Sequence, residues 1–155
     1  NEILNLLNKV VNKVDLGIIR MSLNIVHFKN GTATMANAAM PPIYHYSAEK
    51  KKVVEIEIVN LPLGGLLNEE YELAEIKFDE GDLLIQLSDG LPEARNPGGE
   101  LIDYKRLFDC IEQNAMKSTK DVVESLVEMA EEWLDGNINP DDITIVATKK
   151  NTLKE

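Results

Sequence analysis

The sequence predicts an α+β fold in which strands in β-hairpins are followed by a pair of helices and a final strand. Three observations carry this. Short apolar or alternating runs recur between Ile18 and Leu87, separated by turn residues such as Lys29-Asn30-Gly31 and Asp79-Glu80-Gly81, which is the pattern of antiparallel strands. Two stretches after Asp103 instead repeat their apolar residues at helical spacing. Strands do not alternate with helices one by one, so the chain is not built from βαβ units, and it has no internal repeat.

An amphipathic helix precedes the strands. From Glu2 to Val14, the residues Ile3, Leu6, Leu7, Val10, Val11 and Val14 fall on one stripe. A strand from Ile18 to Phe28 turns through Lys29-Asn30-Gly31 into Thr32 to Ala38, as in a hairpin, and Pro41-Pro42 stops it. Tyr44 and Tyr46 mark a short strand, and Glu49 to Lys52 is a solvated turn. Val54, Ile56 and Ile58 alternate with Glu55 and Glu57, which predicts one wet face. Leu61 to Leu67 is a loop, and strands over Leu73 to Phe78 and Asp82 to Leu87 follow, the second apolar enough to be central. Asp103 can cap a helix that buries Tyr104, Leu107, Phe108 and Ile111. Ser118 with Asp121 caps a longer one whose inner face holds Val122, Leu126, Met129, Ala130 and Trp133. Gly136-Asn137 ends that helix, and Ile143 to Thr148 is the last strand.

Composition narrows the function. Sixteen basic against twenty-seven acidic residues give a net charge of −11, which repels nucleic-acid phosphates and argues against DNA or RNA binding. No stretch is long and apolar enough to span a bilayer, so no membrane insertion is expected. The single cysteine, Cys110, fits a reducing cytoplasm and lies on an apolar helical face, where it reads as packing. His27 and His45 lie in strand patterns without a partner at metal-ligand spacing and read as structural or surface residues.

Two motifs carry chemistry. Ser88-Asp89-Gly90 follows an apolar strand, and Asp141-Asp142-Ile143-Thr144 opens another. A hard divalent cation prefers carboxylate and water oxygens, and aspartates at the ends of strands can hold one while leaving it open to a phosphate. Each motif alone is ordinary turn chemistry. The run Leu61-Pro62-Leu63-Gly64, Glu80-Gly81-Asp82-Leu83-Leu84-Ile85, Ser88-Asp89-Gly90 through Glu93-Ala94-Arg95-Asn96-Pro97 with Gly99-Glu100, and Asp141-Asp142-Ile143-Thr144, taken together, resembles the SpoIIE/RsbU branch of the PPM metal-dependent serine/threonine phosphatases. Ala36-Asn37-Ala38-Ala39-Met40-Pro41-Pro42 is similar to the Ala-Asn-Ala-Gly-His-Pro-Pro segment of that branch, with Ala39 and Met40 in place of Gly and His. Pro92 replaces a more usual Thr.

The resemblance implies a PPM-type β-sandwich flanked by helices, lacking its N-terminal strands and first helix, with residues 1–150 as one domain and 151–155 as a tail. It implies Asp89 and Asp141 as ligands of one metal, Gly90 and Asp142 beside them, Arg95 as a candidate phosphate contact, and two Mn²⁺ or Mg²⁺ ions in the complete domain. The family's Asp-x-x-Gly-His-Gly motif, whose aspartate bridges the metals, is missing, and Asp15-Leu16-Gly17 is a poor substitute. With Asn1 as its first residue, the chain reads as part of a longer protein. The implied function is hydrolysis of phosphoserine on a phosphorylated STAS-domain anti-anti-sigma protein in the cytoplasm. The alternatives are a pseudophosphatase acting as an interaction module, and an unrelated α+β binding domain. Loss of the covering segments predicts an exposed apolar surface and a tendency to homo-oligomerise.

Overall fold

The computed structural model of the chain describes residues 1–14 and 17–151, so Asp15 and Leu16 of the substitute motif and residues 152–155 of the tail lie outside the described residues. The elements run α1 (Glu2–Val14), β1 (Leu23–Lys29), β2 (Thr32–Ala38), β3 (Ile43–Ser47), β4 (Lys52–Ile56), β5 (Leu73–Lys77), β6 (Leu83–Leu87), α2 (Tyr104–Asn114), α3 (Thr119–Leu134) and β7 (Ile145–Lys149). They group into two compact units, Asn1–Met40 with Glu57–Phe78, and Pro41–Ile56 with Asp79–Glu155.

The first unit holds an antiparallel sheet in the order β1-β2-β5. Asn30 and Gly31 both take left-handed backbone, at φ 50° and 78°, so the two-residue turn between β1 and β2 matches the twist of the hairpin. Leu4 of α1 packs with Ala36, Ala38, Leu63 and Tyr71, and Leu7 and Val11 support it. The apolar stripe expected on α1 is therefore split: Ile3, Leu6, Val10 and Val14 stay exposed, while the buried positions are Leu4 and the polar Asn8. Asn8 is tolerated there because its amide donates to Leu66 O at 2.7 Å and its carbonyl accepts from Gly64 N at 2.8 Å. The expected strand start at Ile18 shifts to Leu23, because Ile18 is 95% exposed in a turn and only Met21 makes a bridge, to Leu63.

The turn after β2 is held in a costly conformation. Ala39 sits at φ 54°, where an L side chain crowds its own carbonyl. Asn37 clamps this turn: its Nδ2 donates to Met40 O at 2.8 Å and its Oδ1 accepts from Met40 N at 2.7 Å.

In the second unit the antiparallel order is β4-β3-β6-β7. Register places Tyr46 opposite Val53 and Leu83, Tyr44 opposite Ile85, and Leu87 opposite Ile145. One face of the sheet thus carries Tyr44, Tyr46, Val53, Leu83, Ile85 and Leu87, which pack with Leu107 and Ile111 of α2 and Val122, Leu126 and Ala130 of α3. The register also corrects the phase expected for β4. Val53 is the buried residue and Val54 is 50% exposed, because Val54 pairs with His45 on the other face. β6 is central and apolar on both faces, since Leu84 is buried as well. Both helix caps form as expected: Asp103 Oδ1 accepts from Arg106 N at 2.7 Å, and Ser118 Oγ accepts from Asp121 N at 3.2 Å.

The N-terminal end of β6 is fixed by a buried carboxylate. Asp82 accepts from Ala48 N at 2.9 Å, Asp79 N at 2.9 Å and His45 Nε2 at 3.0 Å. Burial alone would raise its carboxyl, but the amides of Ala48 and Asp79 and the His45 ring hold it below the usual carboxylate range. Because the folded form is the stronger acid, this contribution is complete above the unfolded value near about 4 and is lost as pH falls through the lower folded value. Asp82→Asn should cost about 1–3 kcal/mol at pH 7, and urea titrations should show its gap to the native chain narrowing below about pH 4. At Ala39 the sign is opposite. Ala39→Gly should stabilise by about 0.5–1 kcal/mol, relief of the left-handed strain outweighing glycine's extra chain entropy, read as a higher denaturation midpoint at unchanged slope.

Candidate metal centre

β6 and β7 pair antiparallel, so the chain leaving β6 and the chain entering β7 lie at the same end of the sheet. The two aspartates do not end the strands themselves. Asp89 lies two residues beyond Leu87, and Asp141 four residues before Ile145. Both lie in turns or bends and both are exposed.

These turns are locked to each other rather than merely adjacent. Ser88 N donates to Thr144 O at 3.0 Å, which extends the ladder by one step. The return bond does not go to the Ser88 backbone: Thr144 N donates to Ser88 Oγ at 2.9 Å, and that hydroxyl donates to Asp142 O at 3.1 Å. Asn139 Nδ2 then donates to Gly90 O at 2.9 Å. Gly90 does not take left-handed backbone. Its role is close approach: a Cβ there would overlap Asp142 O and lie 2.9 Å from Asp142 C and 3.2 Å from Asp141 O. Glycine is required at position 90 to leave room for the opposite backbone.

Asp142 takes part through its carbonyl, and its side chain is exposed. Arg95 is exposed and its Nη1 donates to Gly99 O at 2.9 Å, clasping the loop after Asp89. That loop is otherwise pinned by Leu91, Ala94 and Ile102 in the core, by Trp133 Nε1 on Glu100 O at 3.1 Å, and by Asn137 Nδ2 on Arg95 O at 3.3 Å. Ser88 and Asn139 build the site although their residue types point to no chemistry. Only their places beside the aspartate motifs could have signalled them.

Among the described residues no hydrogen bond or ion pair engages the carboxylate of Asp89 or Asp141. Two unpaired hard oxygen donors on a rigid, exposed turn pair fit a divalent cation in kind. They do not make a closed site, since no group of three or more His, Cys, Asp or Glu able to hold a metal occurs among the described residues. The histidines are elsewhere: His45 is buried against Asp82, and His27 is exposed on β1. Burial raises the Cys110 thiol, which leaves it a weak nucleophile.

Comparison with known proteins bears on the family and the fold. A family model described as Stage II sporulation protein E (SpoIIE) matches residues 1–151. Phosphoserine phosphatase RsbU of Bacillus subtilis is 24% identical over 97% of the chain, and protein IcfG of a Synechocystis species is 26% identical over 82%. The chain spans 45% and 20% of the length of these two relatives. The SiaA-PP2C domain of Pseudomonas aeruginosa shares the fold, with a TM-score of 0.83 at 19% identity over 96% of this chain and 60% of that one. No helix among the described residues is long and apolar enough to cross a membrane.

The contact at Gly90 can be tested directly. Gly90→Ala should destabilise the chain by about 1–3 kcal/mol, because the obstacle is backbone and cannot swing aside as a side chain would. Equilibrium urea unfolding checks this, and an unchanged midpoint would mean that the two turns stand further apart.

Proposed function

Since the chain belongs to the SpoIIE family, matched from residue 1 to residue 151, we propose that residues 1–150 are the C-terminal portion of a metal-dependent protein serine/threonine phosphatase domain. The observation that carries this reading is the lock between the turns of Asp89 and Asp141, which presents two unpaired carboxylates on one end of the sheet. The substrate is phosphoserine on a STAS-domain anti-anti-sigma protein, and the setting is the cytoplasm.

Asp89 and Asp141 would hold one Mn²⁺ or Mg²⁺. Such an ion supplies positive charge for the transferring phosphoryl group and lowers the pKa of bound water. The protein's part is to hold the two turns together, with Asp142 engaged through its carbonyl rather than its carboxylate. Bound cations also offset the acidic surface, whose net charge of −11 would otherwise repel a phosphoprotein. Arg95 would meet the phosphate; a guanidinium has five donors, so it can do so while still clasping Gly99. A second reading, a pseudophosphatase that only binds its partner, is favoured by the lack of a third ligand among the described residues.

The chain alone should be nearly inactive, because two carboxylates do not complete a two-metal site. Within its full-length natural protein, Mn²⁺-dependent release of phosphate from a phosphorylated STAS protein is expected. EDTA should stop it, and Asp89→Asn should lower it on the order of 100-fold by removing a charged ligand at nearly constant shape. Partner binding without phosphate release under either metal would sink the enzyme reading and leave the interaction module.

A further inference from the structure

We infer that Asn139 is a positioning residue for the metal centre, a clasp that sets the separation of Asp89 and Asp141; this rests on the assignment of those two aspartates as ligands. Asn139 is half-buried, and its side-chain amide reaches across 49 residues of sequence to Gly90 O at 2.9 Å, the carbonyl next along the chain from Asp89. Pro140 follows it. The proline ring fixes its own φ and drives Asn139 toward extended backbone, so the path from Asn139 into Asp141 has little freedom. On the far side of Asp141, the Asp142 carbonyl is seated over Gly90 and accepts from Ser88 Oγ. Asp141 is therefore held to the Asp89 turn from both sides along the chain, by Asn139 two residues before it and by Asp142 directly after it.

Such a clasp has a physical task. Two ionised carboxylates on apposed turns repel each other, and without a restraint they would splay apart until a cation gathered them. Each bit of ordering left for the cation to impose weakens its binding, which is why groups behind metal ligands typically change affinity by about 10–100-fold. Asn137 provides the internal comparison. It lies two residues earlier and also donates its amide across the molecule, but to Arg95 O at 3.3 Å in the outer loop rather than to the Asp89 turn. A purely structural role would make the two asparagines equivalent with respect to metal.

The test titrates Mn²⁺ alone into the 155-residue chain, reading free ion by its aqueous electron paramagnetic resonance signal, with thermal unfolding of the metal-free proteins alongside. Asp89→Asn should abolish specific uptake. Asn139→Ala should raise the Mn²⁺ midpoint about tenfold, Asn137→Ala should leave it at the native value, and the two should melt within a few degrees of each other. Asn139→Ser, whose hydroxyl is too short for Gly90, should repeat the Asn139→Ala midpoint and carries the comparison should the alanine variant fail to fold. Equal midpoints for the native, Asn137 and Asn139 proteins would overturn the inference while leaving the two-aspartate site intact. Uptake unchanged by Asp89→Asn would overturn both.

Discussion

The pairing of β6 with β7 is the constraint on which the candidate site depends. Antiparallel register from Leu83 opposite Lys149 to Leu87 opposite Ile145 sets which residues can meet beyond the strand ends. A slip of one residue would turn Ile145 and Ala147 from the helix-facing side to the other and would carry Thr144 out of reach of Ser88. Core packing and site geometry are thus one choice. The apolar residues that hold the register, Leu83, Ile85 and Leu87, are the same ones that fix where Asp89 begins its turn.

Polar side chains do the finer placement throughout. Asp82 gathers three donors at the entry to β6, Ser88 replaces a backbone partner at its exit, and Asn8 ties the loop of Gly64 and Leu66 to α1. Each bond is modest in net stability, but each buried group would be costly if left unpaired, so the native arrangement is strongly preferred over near alternatives. The acidic surface adds no such specificity; it favours solubility and sets the sign of what can approach.

The fold class and most elements were legible in the sequence because hydrophobic period and capping residues act locally. Asp103 and Ser118 cap their helices where expected, and the Asn30-Gly31 hairpin forms. The failures came where long-range pairing decides. β4 takes its phase from Tyr46 opposite Val53, which alternation of Val54 with Glu55 cannot show. The burial of Asn8 has no local signal, because its partners lie 56 and 58 residues away. At the site, Asp89 and Asp141 stood out by residue type, whereas the reason for Gly90 depends on a backbone about fifty residues downstream.

The exchange between Ser88 and Thr144 also bears on how the chain reaches its native state. These residues are 56 apart, and α2 and α3 lie between them. Closing so long a segment is entropically costly until the helices form and shorten the distance its ends must search. The contact between the two turns is thus among those with the largest loop to close, so the surface that carries the two aspartates depends on the helical pair bridging the segment between them.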